Sequence, residues 1–266
     1  MTELTRRQLL AGALGAATLG AGDALAIGDG SKLKLAQLEY AGTWDSRPMA
    51  SLVLAQEVRF RTSIDVQLKR QVVRAEDAAL FDLPFVTMLG DVRFKFQPRE
   101  RVRLKKWIEA GGMLFVDNTG RSEPSEAFDA SLRAELDAMF PGQKLAKVPS
   151  QHVLYRCFYV LDFPAGRAIR RTFLEALSLE GRLAVIYSQN DLTGALDRDR
   201  VGAWTFDVEP GGEPQREKAR RLAVNLIQYA MCLDYKDDQV HLDYLLHQRR
   251  WRSPPPGIRP EDRKTP

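Results

Sequence analysis

The chain has 266 residues, and 39 Lys and Arg against 35 Asp and Glu give a formal charge of +4. Apolar residues make up 44% and charged residues 28%, so the chain can bury a core and does not have the composition of a disordered protein. Acidic and basic residues alternate and no basic run is interleaved with aromatics, which argues against nucleic-acid binding.

The N-terminal stretch TRRQLLAGALGAATLGAGDALA pairs Arg6 and Arg7 ahead of an Ala/Leu/Gly run that ends in Ala24-Leu25-Ala26. That is the layout of a twin-arginine signal peptide over residues 1–26, with cleavage after Ala26 and a mature start at Ile27. The implied location is the periplasm, or outside the cytoplasm in any case. No later stretch approaches the ~20 consecutive apolar residues of a membrane helix, so no span is expected after cleavage.

LKLAQLEY, 33–40, reads as a first strand. DSRPMASLVLAQEVRFRTS follows as a helix, with Asp45 or Ser46 as N-cap, Pro48 in the first turn, and Met49, Leu52, Val53 and Phe60 on one face. IDVQLKRQVV alternates like a strand. LPFVTMLG, 83–90, is a continuous apolar run, the mark of a strand buried on both faces. In QPRERVRLKKWIEAGG, Pro98 opens a helix that buries Leu104, Trp107 and Ile108 and closes at Gly111. MLFV, 113–116, is another buried strand, and the next helix carries Phe128, Leu132, Leu136 and Met139 on one stripe.

Residues 143–180 are less regular, with QKLAKV and VLYRCFYVL as strand candidates in an inserted ribbon or edge extension. GRLAVIYS, 181–188, is a strand. QREKARRLAVNLIQYAMCL is a helix with a wide stripe of Ala219, Leu222, Ala223, Leu226, Ile227, Ala230 and Met231. Strands alternating with helices predict an α/β domain over 31–235 with a mostly parallel sheet. A short helix over 236–249 and a proline-rich disordered tail over 250–266 complete the chain. Cys157 and Cys232 could form one disulfide outside the cytoplasm, but their apolar surroundings favour two separate buried thiols.

Ligands of such sheets bind beyond the carboxyl ends of the strands. That rule gathers a candidate pocket of Tyr40, Trp44, Asp45, Asp91, Asp117, Asn118, Arg121, Tyr187, Ser188, Asn190 and Asp191. Amides and aromatics there could recognise sugar or peptide groups. Asp117 with Asp91 or Asp191 could serve as an acid/base pair in a hydrolase or transferase. Asp45, Asp91, Asp117 and Asp191 could converge on Ca²⁺ or Mg²⁺. Nothing assigns a catalytic nucleophile, a metal ligand set or a cofactor. There is no Gly-x-Ser-x-Gly, and of the three histidines His152 reads as a loop residue and His241 and His247 as surface positions.

Five stretches carry a resemblance: LEYAGTWDSRP, LPFVTMLGDVRFKF, LKKWIEAGGMLFVDN, AFDASLRAELDAMFPGQKLAKVPSQHVLYRCFY and GRLAVIYSQNDLTG. Together they resemble the domain of unknown function 4159 family of exported bacterial proteins, over roughly residues 33–232. That family is similar to the class I glutamine-amidotransferase-like superfamily, which implies a flavodoxin-like three-layer α/β/α sandwich. Enzymes of that superfamily carry a nucleophilic Cys on the turn after a strand resembling GGMLFVDN, with a His and an acid as partners. Here Asp117 and Asn118 stand at that turn, with no Cys nearby and no later His-x-Glu. The resemblance therefore implies a catalytically degenerate module that binds a small ligand or an envelope protein partner.

Overall fold

A computed structural model describes residues 32–232. The signal peptide, the 236–249 helix, the 250–266 tail, His241 and His247 lie outside the described residues. The strands are β1 (Ala36–Glu39), β2 (Gln71–Arg74), β3 (Phe85–Gly90), β4 (Met113–Asn118), β5 (Ala146–Lys147), β6 (Glu175–Leu179) and β7 (Arg182–Ser188). The helices are α1 (Ala50–Arg61), α2 (Pro98–Glu109), α3 (Glu126–Met139) and α4 (Gly212–Met231).

All seven strands join one sheet in the order β2-β1-β3-β4-β7-β6-β5. β2, β1, β3, β4 and β7 are parallel neighbours, and β6 and β5 extend the sheet antiparallel beyond β7. Counting parallel strands alone, the order is the 2-1-3-4-5 of a flavodoxin-like sheet.

β3 and β4 are buried at every position, as their unbroken apolar runs require. Val86, Met88, Leu114 and Val116 pack with Leu104, Trp107 and Ile108 of α2 and Phe128, Leu132 and Leu136 of α3. On the opposite face Phe85, Leu89 and Phe115 meet Leu54 of α1 and Ala223 and Leu226 of α4. α2 begins with a reciprocal capping box between Gln97 and Glu100 and ends at Gly111, whose φ of 108° suits glycine. The Trp107 indole N–H donates to the Leu83 carbonyl at 2.8 Å, so this large ring leaves no buried donor unmet.

Several expectations need correction. α1 starts at Ala50 with Met49 as N-cap, and its first turn is held by the Asp197 carboxylate accepting the Met49 N–H at 2.9 Å. Its buried face is Ala50, Ser51, Val53, Leu54, Ala55 and Val58, while Phe60 is 88% exposed. Only the last three residues of IDVQLKRQVV, Gln71 to Val73, enter a strand, because β1 offers β2 a ladder of just four residues; Val66 makes one isolated bridge to Leu33. VLYRCFYVL is not a strand. Val153–Tyr155 is a single 3-10 turn. Asn225 of α4 stands in for a strand ladder, donating to the Leu154 and Tyr159 carbonyls at 3.0 and 2.8 Å and accepting the Tyr159 N–H at 2.8 Å.

β6 carries no strong sequence signal, yet it is the strand that covers β7. Cys157 and Cys232 are thiols, not a disulfide, as favoured; but Cys157 is half-buried, with its S–H donating to the Asn225 carbonyl at 3.3 Å, and Cys232 is exposed. Met231 is also exposed and leaves the α4 stripe. Among the described residues no helix is long and apolar enough to cross a membrane.

Trp107→Ala removes a fully buried ring and its hydrogen bond and should cost about 3–5 kcal/mol of stability in urea unfolding. A loss below about 1 kcal/mol would mean that α2 is not anchored through this ring.

Candidate functional site

The chain leaves β1 for β2 on one side and then passes to β3 on the other, so strand order reverses between β1 and β3. In an open α/β sheet that reversal opens a crevice at the carboxyl edge. Here the crevice is closed by its own side chains. The Thr43 hydroxyl donates to Asp91 Oδ1 at 2.5 Å and accepts the Asp91 N–H at 3.0 Å. Tyr40 donates to the Leu89 carbonyl at 2.6 Å, and burial first, then the Asp91 charge, pushes its phenol far above the usual range. Trp44 accepts from the Gln37 amide through its carbonyl, and Arg70 lies over its ring while pairing with Asp45.

The next group was expected in a turn after Val116. Instead Asp117 and Asn118 are the last residues of β4, paired with Leu89 and Gly90 of β3 and fully buried. Asp117 points at the start of the 3-10 turn Thr193–Ala195. Its carboxylate accepts the Leu192 N–H at 3.1 Å, the Thr193 N–H at 2.7 Å and the Thr193 hydroxyl at 2.6 Å. Burial, and then the neighbouring Asp191 charge, pushes this carboxyl up to about 6, against hydrogen bonds from Thr193 and Ser188. Asn118 accepts the N–H groups of Gly120 and Ser125 at 3.2 and 2.8 Å and donates to the Ser125 carbonyl and the Tyr187 hydroxyl, both at 3.0 Å. Every polar position of that amide is used.

Asp191 is the least expected residue. It has a φ of 51°, and its side chain is 0% exposed. Arg47 grips it with Nε at 3.2 Å and Nη2 at 2.7 Å, Arg167 adds Nε at 2.5 Å, and the Gly194 N–H donates at 3.0 Å. Arg47 also donates to the Thr119 carbonyl at 3.2 Å and stacks 4.2 Å from the centre of the Phe206 ring. It therefore fills the space between the β1 and β4 loops. Asn190 next door is as saturated as Asn118. It donates to the Pro164 and Arg171 carbonyls at 2.8 and 2.7 Å and accepts the Arg170 and Arg171 N–H groups at 2.9 and 2.8 Å. Ser188 accepts the Asn190 N–H at 3.2 Å.

A cleft of about 420 Å³ lies beside this network, between the start of α3 and the β6–β7 edge. Four carboxylates, Glu123, Glu126, Asp129 and Glu175, line it together with Ser125, Arg133, Arg171 and Phe173. None of the residues expected in the pocket does. Three of them lie beneath it: Asn118 fixes Ser125, Asn190 fixes the backbone of Arg171, and the Tyr187 hydroxyl accepts from Asn118. Arg121 is exposed, and its carbonyl accepts from Arg167 and Arg170. Within the cleft Glu175 Oε2 accepts from Arg133 at 2.8 Å and from Gln189 at 2.9 Å.

The candidate carboxylates do not converge. Asp45 is spent on Arg70, Asp91 on Thr43, Asp117 on a 3-10 turn and Asp191 on two arginines. Among the described residues no group of three or more His, Cys, Asp or Glu has a metal-holding arrangement. His152 is a loop residue whose Nδ1 accepts the Leu154 N–H at 3.1 Å. Sequence reasoning missed Arg47, Arg167 and the cleft wall. The available signal was that a buried Asp after a strand demands a cation, but with 39 Lys and Arg in the chain it could not say which.

Fold and site together define a flavodoxin-like α/β sandwich whose carboxyl edge is closed by internal ion pairs and amide hubs. The chain belongs to the family described as Domain of unknown function (DUF4159), which matches residues 34–231. No curated protein matches it.

A carboxyl whose pKa rises on folding holds its proton more tightly in the native state. The stability Asp117 contributes is therefore full below its ordinary value of 3.8 and is lost as the pH rises through about 6. Urea midpoints should fall over that window, and Asp117→Asn should flatten the fall. Asp197, which burial also raises, adds to the fall, while Glu217, which the hydrogen bond from Arg61 lowers to about 2, opposes it near its ordinary value of 4.5. An unchanged slope in the variant would show that Asp117 does not titrate there.

Proposed function

We propose that this chain is a catalytically silent ligand-binding module of the glutamine-amidotransferase-like type, exported by the twin-arginine route and working in the cell envelope. One observation carries the reading: two fully satisfied amides, Asn118 and Asn190, each fix one wall of the 420 Å³ cleft. Saturated hubs beneath a concave surface are what a preorganised binding site needs, since little ordering is left for the ligand to impose. The carboxylates that could have performed acid/base chemistry are occupied in the supporting layer. The cleft offers the Phe173 ring for stacking, Glu175 and Gln189 for hydrogen bonds, and guanidinium groups at Arg133 and Arg171. That set suits a sugar or a short peptide segment, supplied free or as part of an envelope partner.

The test is titration of the folded protein with cell-wall glycan fragments and short peptides. Phe173→Ala should weaken binding about tenfold, the value of one lost stacking contact of about 1.4 kcal/mol. Saturable binding that Phe173→Ala leaves untouched would place the ligand elsewhere. Absence of binding across both ligand classes would remove the reading. Export has its own arm. Lysines at Arg6 and Arg7 should abolish a secreted species beginning at Ile27.

A second reading is carboxylate-dependent hydrolysis or transfer by Asp117 with Asp191. It draws support from the raised pKa of Asp117 beside a second carboxylate. It requires the Leu192–Thr193 turn to withdraw from Asp117, and loss of a measurable turnover in Asp117→Asn with unchanged ligand affinity would favour it.

A further inference from the structure

Arg167 and Arg170 converge on the same two carbonyls. Arg167 Nη2 lies 3.2 Å from the Gly120 oxygen and 2.6 Å from the Arg121 oxygen. Arg170 Nη2 lies 2.5 and 2.6 Å from the same atoms. Arg121 projects its own exposed side chain from this turn, and the exposed Arg171 follows Arg170 in the chain. Two guanidinium groups thus meet at this turn, and two exposed arginines adjoin them in the chain.

Their carboxylate partners do not match that number. Asp191 is shared between Arg167 and Arg47. Arg170 donates only to carbonyls, the third being that of Gln189 at 3.4 Å, and its Nε is buried with no partner. Asp117, Asp191 and Glu123 act on it only through space, and burial together with the adjacent Arg167 charge lowers its pKa. Arg171 donates to the Arg170 carbonyl at 3.2 Å. Arg103 and Arg182 likewise donate only to carbonyls, but each stands alone, without a second arginine on the same oxygens. Arg61, Arg101 and Arg133 each hold a carboxylate at 2.5–2.9 Å.

Guanidinium groups brought together without carboxylates form the usual receptor for a compact oxyanion, because their planar forks accept two oxygens at once and the anion relieves their repulsion. We propose that Arg121, Arg170 and Arg171, at the Gly120–Arg121 turn, bind a phosphate or carboxylate group. Arg171 is also a wall of the cleft, so the proposal rests on the reading of the cleft in naming the charged group its ligand would carry. The anion site itself can stand without that reading.

The experiment uses the full chain and compares thermal unfolding in phosphate and in chloride at matched ionic strength. Phosphate should raise the melting temperature saturably. The Arg121→Gln/Arg171→Gln double variant changes only exposed side chains. It should melt with the parent in chloride and bind phosphate at least tenfold more weakly. Arg59→Gln, an exposed arginine on α1, should keep the full phosphate response.

Two ligand arms identify the source of the oxyanion. A glycan or peptide carrying phosphate or carboxylate that binds at least tenfold tighter than its neutral analogue, and loses that advantage in the double variant, places the anion on the cleft ligand. A phosphate response with no glycan or peptide binding supports a site for the free ion and overturns the cleft reading alone. The anion proposal is overturned by no phosphate response beyond chloride, by a response the double variant retains, or by an equal loss in Arg59→Gln.

Discussion

The carboxyl edge of this sheet depends on one buried charge. Asp191 has no access to water, and a carboxylate in that setting is tolerable only with cations and hydrogen bonds around it. Arg47 comes from the connection after β1 and Arg167 from the loop before β6, and both bind the one carboxylate. Through Arg47 the same charge reaches the Thr119 carbonyl, and through Arg167 the Gly120 and Arg121 carbonyls. Four segments distant in sequence are thereby held to a single point. The left-handed backbone at Asp191 and the bare Cα of Gly194 follow from it, since a Cβ at position 194 would lie 2.5 Å from the carboxylate. Removing one arginine would leave the charge underpaired, a change that costs about 3–5 kcal/mol in buried pairs.

That arrangement, with the contacts of Thr43 to Asp91 and of Tyr40 to Leu89, draws the loops of the carboxyl edge together. An open α/β sheet presents loop ends to a ligand. Here the loop ends bind one another, and a cleft lies beside them between the start of α3 and the start of β6. Asn118 and Asn190 shape that cleft from beneath. The distinction is between residues that touch a ligand and residues that hold still the residues that would.

The sequence made the architecture legible where periodicity was strong. α2 and α3 bury the stripes read from spacing, and β3 and β4 are the double-sided strands their apolar runs announced. It failed where the deciding contact is long-range. VLYRCFYVL has strand composition, but Asn225 satisfies its backbone from a helix more than sixty residues away. Phe60 has the spacing of a core residue, yet α1 turns its small side chains inward. At the site, polar residues at strand ends read the same whether they face solvent or one another. Asp117 differs from a catalytic acid only through Thr193, which is 76 positions away in the chain. No local pattern encodes that partner.

The two margins of the sheet carry a last consequence. β2 ends one side with four residues, its terminal Arg74 paired to Glu39, and β5 ends the other with only Ala146 and Lys147. Short outer strands with charged side chains are poor templates for another chain's backbone. Strand addition, a common mode of peptide capture, is therefore disfavoured at both ends. The sheet is thereby guarded against edge-to-edge association with a second copy of itself.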